Sequence, residues 1–359
     1  MTAYRYDCIV VGMQYERIGM SGSSDVARRG RRGRAPHGAR RALRWAAIAV
    51  VGALALSQVV DLATAGPTVG HWRSAEAKSR YETAYAETLS ALPPPDEVRQ
   101  VTTRFGSVRV TMWRGAAPGP PVLLIPGRSS GAPMWAANLP DWIGRRTVYA
   151  LDPIGDAGLS AQSLPLTSPE DQAEWIAEAV RGLGHDRVHV VGHSFGGANA
   201  AMLALRHPEL VATLTLLEPV VVISPLPASI YLWSAVLLLP APQSWKDEAL
   251  ARIGGTTADE VRDGGPMARM IDAAGQGYAA ALPTPRRLTD EEWRSLPMPV
   301  RVDIGGASEL AGGAASVERL RDLLPEAEVT LWPGASHSLP MERRAQLGPA
   351  LLELWAAHS

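Results

Sequence analysis

The sequence predicts an α/β domain: a mostly parallel central sheet flanked by helices, with a helical cap insertion and an N-terminal transmembrane or signal helix. Three observations carry this. From about residue 98 onward, short continuous apolar runs alternate with helical stretches, the pattern of a parallel sheet covered on both faces. One interval, 221–296, breaks that rhythm. Near the N-terminus an arginine-rich stretch leads directly into an apolar run.

Composition narrows the field. The chain has 359 residues, enough for one large α/β domain and an appendage. A net charge of −1 and a charged fraction of 20% point to no nucleic-acid partner, and 46% hydrophobic residues is ordinary for a packed protein. The single cysteine, Cys8, precedes the folded elements. An intrachain disulfide, a multi-cysteine metal site and a thiol nucleophile in the main domain are thereby ruled out.

The N-terminal segment has its own logic. Residues 1–44 read as a disordered basic segment, with Arg28, Arg29, Arg31, Arg32, Arg34, Arg40, Arg41 and Arg44 and no acid between Arg28 and Arg44. Residues 45–65 read as a signal peptide or membrane anchor, because a basic flank followed by an apolar core is the export pattern. The apolar run reaches Asp61 after about 16 residues, somewhat short of the roughly 20 that span a bilayer. Ala63-Thr64-Ala65 has the small residues of a cleavage site, and Arg40-Arg41 loosely matches a twin-arginine signal. The competing reading is a buried helix of a soluble protein, against which stands the lack of a polar face. The membrane readings keep the N-terminus cytoplasmic and export the chain after residue 66, as a single-pass membrane protein or as a secreted one cut near Ala65.

Beyond that segment, 66–97 reads as a helix (about 70–92) and a linker stopped by Pro93-Pro94-Pro95. The main domain follows at 98–220 and 297–359. Its strands are expected at 108–113, 121–125, 147–151, 187–191, 213–217, 300–304 and 328–332. Helices are expected at 196–206, 314–324 and 343–357, with a further one starting after Ser168, where Pro169, Glu170 and Asp171 form a first turn. The interval 221–296, with an apolar stretch at 230–239, reads as a helical cap over the carboxyl edge of the sheet, since unstructured connections of that length are uncommon.

The chemistry centres on Gly192-His193-Ser194-Phe195-Gly196-Gly197, which joins an apolar strand to an alanine-rich helix. Gly-x-Ser-x-Gly in that setting is a nucleophile elbow, a strained turn that lifts the serine hydroxyl above the sheet. Side chains at 192 and 196 would collide with the helix and the neighbouring strand. The amide of Phe195, at the helix start, is placed to donate to a developing oxyanion. A glycine-rich turn without chemistry is the bland alternative.

With these residues in hand, the chain over roughly 98–357 resembles the α/β-hydrolase fold superfamily, particularly its bacterial carboxylesterase-like serine hydrolases. Leu124-Ile125-Pro126-Gly127-Arg128 is similar to the family's oxyanion loop, with Pro126-Gly127 in place of the usual histidine-glycine pair. The resemblance assigns the second oxyanion amide to Arg128. Trp135 and His193 are candidates to line the substrate pocket, Trp135 equally a core residue. Asp152, in a loop similar to the family's Asp-x-x-Gly-x-Gly-x-Ser segment with one extra residue, reads as a loop brace.

The base is expected at His337, in Trp332-Pro333-Gly334-Ala335-Ser336-His337 between the last strand and the final helix, since this fold places serine first and histidine last. The acid that orients the imidazole is less plainly marked. The family usually sets an aspartate after the strand at 300–304, but Ser308 stands there, and serine cannot carry the charge. Glu309 follows one residue later. Glu218 ends the strand at 213–217, a position some family members, haloalkane dehalogenases among them, use for their acid. Both glutamates stay open, Glu218 favoured.

These residues imply hydrolysis of a carboxylic ester through an acyl-enzyme and without metal or organic cofactor, and the apolar cap suggests a small or hydrophobic, uncharged substrate. Serine at the elbow argues against dehalogenase and epoxide hydrolase chemistry. Other acyl-transfer or cofactor-free activities use the same constellation. A catalytically impaired binding module at the cell envelope is the alternative from another class. Oligomeric state is not encoded in any motif.

Overall fold

The computed structural model describes residues 68–238 and 241–359. The basic segment and the apolar run expected at 45–65 lie outside the described residues. Among the described residues no helix is long and apolar enough to cross a membrane.

The chain enters through a short strand, β1 (His71–Trp72), and helix α1 (Ala75–Leu89), capped by Ser74, whose hydroxyl accepts from the amide of Ala77. The expected helix at 70–92 is therefore shorter at both ends: two residues pair as a strand, and the helix stops before the prolines. Strands β2 (Glu97–Thr103), β3 (Gly106–Trp113) and β4 (Val122–Ile125) follow, then α2 (Leu139–Trp142), β5 (Val148–Leu151) and β6 (Ala161–Gln162). Next come α3 (Pro169–Gly182), β7 (Val188–His193), α4 (Phe195–Arg206) and β8 (Val211–Leu217). The first of these helices opens with a capping box between Ser168 and Asp171, which fixes its start where the sequence places it.

Between β8 and the next long strand the chain forms α5 (Ala228–Leu238), α6 (Gln243–Gly254), α7 (Ala258–Asp263), α8 (Gly265–Gly277), the short β9 (Tyr278–Ala279) and α9 (Asp290–Arg294). The core then closes with β10 (Val300–Gly305), α10 (Gly313–Leu323), β11 (Glu328–Trp332), α11 (Leu339–Glu342) and α12 (Arg344–Ala357).

The main sheet has the order β11-β10-β8-β7-β4-β5-β3-β2, with β6 on β3. All pairings from β11 to β5 are parallel; β3 runs antiparallel to β5 and β2. Successive strand residues feed opposite cores. Leu123, Ile125, Val190 and Leu214 face the side covered by Trp175, Ile176 and Val180 of α3, Ala201 of α4 and Leu320 of α10. Leu124, Val148, Val191 and Leu217 face the side covered by Tyr81 and Tyr85 of α1, Trp142 of α2, and Leu351 and Trp355 of α12. Double coverage is why these strands read as continuous apolar runs. β2 departs from the expected series. It is an antiparallel edge strand whose Val98, Arg99, Gln100 and Thr102 are exposed, so it carries no apolar run to betray it.

Candidate active site

Ser194 occupies the turn between β7 and α4 with φ 55° and ψ −122°, a backbone state that costs a non-glycine residue about 1–3 kcal/mol. Contacts on every side hold it there. Its amide donates to Leu217 O (3.1 Å), and its carbonyl accepts from Ala198 N (3.2 Å) and Val220 N (3.3 Å). A Cβ at Gly192 would overlap the carbonyl of Gly196, and one at Gly196 the carbonyls of Ile125 and Pro126. The two glycines thus let the turn close against the helix on one side and the end of β4 on the other.

His337 follows β11 and lies with Nε2 2.9 Å from Ser194 Oγ. Its Nδ1 is 3.0 Å from Glu218 Oε2. Glu218, just past β8, is fully buried and has φ 49°. Its other oxygen, Oε1, accepts the amide of Gly305 at 2.6 Å. That pair of contacts orients the carboxylate so that Nδ1 of the imidazole donates to it and the Nε2 lone pair faces the serine hydroxyl. An imidazole held this way can take a proton from the hydroxyl and keep the resulting charge beside a carboxylate. The peptide around the imidazole is fastened as well. His337 N donates to Gly254 O (2.8 Å) at the end of α6, and Ser336 N donates to Glu342 Oε2 (2.9 Å) while its hydroxyl also meets that carboxylate.

The loop after β4 comes alongside. A Cβ on Gly127 would stand 3.2 Å from Ser194 Cβ, so this loop packs against the turn that holds Ser194. Gly127 N donates to Met134 Sδ (3.3 Å), and Ser129 N to Asp156 Oδ2 (2.7 Å). These flanking bonds pin the loop while leaving the Arg128 amide between them without an intramolecular acceptor among the described residues. The Phe195 amide, first in α4, is one of the donors that a helix start leaves open.

Comparisons with known proteins bear on the fold and the reaction class. The model of the alpha/beta hydrolase fold matches residues 120–253. Carboxylesterase YbfK of Bacillus subtilis is 29% identical over 276 residues, covering 75% of this chain and 90% of that protein. The solved naproxen esterase (carboxylesterase NP) of the same species superposes with a TM-score of 0.71 at 25% identity, covering 79% of this chain and 99% of that one. The chain is an α/β-hydrolase. It is a hydrolase of the carboxylesterase-like kind.

The other sequence-predicted residues of this α/β-hydrolase fall into place differently. Glu309 is exposed and bonds Ser229 Oγ at 3.0 Å; the structure does not bring it to His337. Ser308 is buried, and its hydroxyl accepts from Leu310 N (3.3 Å). Trp135 is fully buried in the core, 6.4 Å from the ring of Trp142. His193 is buried too, with its ring 4.7 Å from that of His337 and its Nε2 2.9 Å from His337 O. Burial and, secondarily, the neighbouring imidazole push its pKa down to about 3, so it is neutral and donates to the carbonyl. That contact braces the histidine loop. Asp152 accepts from Ala132 N (2.8 Å), Leu159 N (2.9 Å) and Tyr85 Oη (3.3 Å), a loop brace as read.

Sequence reasoning missed Gly305, Gly254 and Met134, because each acts through a backbone group or a sulfur whose neighbour is set by the fold. Among the described residues no group of three or more His, Cys, Asp or Glu side chains is gathered to hold a metal ion.

Proposed function

We propose that this hydrolase cleaves carboxylic esters with Ser194 as nucleophile, His337 as general base and then acid, and Glu218 as the acid of the triad. The observation that carries the reading is the unbroken hydrogen-bond chain Ser194 Oγ–His337–Glu218 at 2.9 and 3.0 Å. The carboxylesterase relatives support the reaction class. Ser194 Oγ attacks the ester carbonyl while Nε2 takes its proton. The amides of Arg128 and Phe195 hold the oxyanion. Collapse of the tetrahedral intermediate expels the alcohol, protonated by His337, and leaves an acyl-serine. Water then attacks, giving its proton to Nε2, and the acid departs as Ser194 is restored. Glu218 fixes the tautomer through its contact with Nδ1.

The alternative of an impaired binding module drew on the missing aspartate after Ile304. Glu218 supplies a carboxylate oxygen at the imidazole instead, which favours an active enzyme. The helices between β8 and β10 serve in this reading as a cap, since Gly254 reaches the histidine loop. The arginine-rich stretch and apolar run of 28–60 support export of the domain, anchored or cleaved near Ala65.

A fluorophosphonate probe on the purified full chain tests the core of this reading. Covalent labelling in wild type and none in Ser194→Ala is the expected outcome. A folded wild type that resists the probe, and turns over no ester, overturns it.

A further inference from the structure

The side chain of Arg128 stands apart from its amide. It is exposed, and its guanidinium carbon sits 5.9 Å from the centre of the Phe195 ring. Several other arginines of the domain are spent on acids: Arg286 on Glu170 and Glu292, Arg301 on Asp303, Arg319 on Asp290, Arg344 on Asp141. Arg128 pairs with no carboxylate among the described residues. The acids that lie near the site are engaged elsewhere. Asp156 accepts Ser129 N (2.7 Å) and Ala157 N (2.8 Å), and Glu218 accepts Gly305 N and faces His337.

Its position gives that unspent charge a purpose. Phe195 directly follows the nucleophile and opens α4, a helix of 12 residues whose amide end adds positive potential at the same spot. A guanidinium stacked on an aromatic face is held in place without being neutralised, and its planar fork matches the two oxygens of a carboxylate or a phosphate. That fork lies over the ring of the residue that directly follows Ser194.

We propose that the Arg128 side chain is a substrate-binding group, and that the preferred esters of this site carry an anionic oxygen group, a carboxylate or a phosphate, a few bonds from the scissile carbonyl. The proposal rests on Ser194 being the nucleophile, and it replaces the uncharged substrate that the apolar cap suggests with an amphiphilic one. The chemistry is ordinary hydrolysis: the acyl C–O bond breaks, water supplies the hydroxyl of the acid and the proton of the alcohol, and the anionic group leaves unchanged.

The test is a matched set of p-nitrophenyl esters given to the full chain: the hemiglutarate, the pentanoate, and an analogue ending in a phosphate monoester. kcat/KM is compared in wild type, Arg128→Gln and Arg128→Lys. Because the Arg128 amide belongs to the proposed oxyanion site, the quantity read is the anionic-to-neutral ratio within each protein. At low salt that ratio is expected to fall about tenfold from wild type to Arg128→Gln, to survive in part in Arg128→Lys, and to shrink in wild type as salt screens the pair. The faster of the carboxylate and phosphate arms shows which oxyanion the fork prefers. Turnover of all esters with the same ratio in wild type and Arg128→Gln overturns the assignment and leaves the serine hydrolase standing. A folded wild type that hydrolyses none of them overturns both.

Discussion

Replacing Glu218 by glutamine changes one atom and, on this geometry, disables the base. The glutamine amide has one acceptor and one donor end. Gly305 N presents a hydrogen at 2.6 Å to Oε1, so the carbonyl end must take that place. The opposite orientation would bury two donors against each other, at a cost of about 1–3 kcal/mol for the unpaired group. The NH₂ end then faces His337 Nδ1, at the 3.0 Å position now held by Oε2. Nδ1 can only accept from it, which moves the ring proton to Nε2. That nitrogen lies 2.9 Å from Ser194 Oγ and, once protonated, has no lone pair for the serine proton. The same acid-to-amide change in the serine protease template lowers kcat about 10⁴-fold, equivalent to about 5 kcal/mol of transition-state stabilisation. We expect Glu218→Gln to lose between about 10³- and 10⁴-fold in kcat on p-nitrophenyl butyrate with its fold intact by circular dichroism. Glu309→Gln should stay near wild type, since the Glu309 carboxylate accepts from Ser229 Oγ and is not at His337. A folded Glu218→Gln enzyme within tenfold of wild type, or a large loss in Glu309→Gln, would refute the reasoning.

Three further outcomes are expected. His193→Phe removes the donor to His337 O but keeps the ring volume; kcat should drop about tenfold with KM little changed, and His193→Gln, which restores a donor near Nε2, should recover most of it. Burial lowers the pKa of both His189 and His193 from 6.5 to about 3. The unfolded chain then binds more protons than the folded one between those values, so stability should be full above about pH 6.5 and fall as pH drops toward 3. The slope approaches about 1.4 kcal/mol per pH unit for each histidine, and a denaturant titration series in which stability stays flat down to pH 4 would contradict it. Expression of the full chain should place it in the membrane fraction or the medium, whereas a chain lacking residues 1–66 should stay in the cytosol; equal partitioning of the two would remove the export reading.

How much of this was legible depended on whether a feature lives in the chain or in the contacts between strands. The elbow could be read because Gly192, Ser194 and Gly196 encode a backbone constraint within five residues, and the structure shows the overlaps that larger side chains would cause. The start of α3 could be read because Ser168 and Asp171 cap each other locally. β2 could not, since its exposed Arg99 and Gln100 carry no apolar pattern and its partner is supplied by a hairpin. The neighbour of His193 was equally hidden. Nothing local says that a residue beside the nucleophile turns toward the carbonyl of His337, well over a hundred residues away.

The acid shows where the boundary falls. The sequence offers Glu218 and Glu309 and an empty place at Ser308; only the pairing of β8 with β10 separates them. The two strands run parallel with Leu217 opposite Asp303, and Glu218 N donates to Asp303 O at 2.9 Å. That register sets Glu218 level with Ile304, one residue short of Gly305 at the end of β10. The positive φ of Glu218 then swings its side chain out of the strand direction, under the Gly305 amide and toward the imidazole. What the imidazole requires is a charged oxygen about 3 Å from Nδ1 with its other lone pairs satisfied, and adjacent parallel strands ending at one edge of a sheet both come near enough to supply it. An acid on β8 reaches across one strand, which suits the longer arm of glutamate, while β10 contributes only a backbone N–H. The division of labour explains why Ser308 is free to serve its own loop and Glu309 the exposed rim, with no carboxylate of β10 left at the histidine.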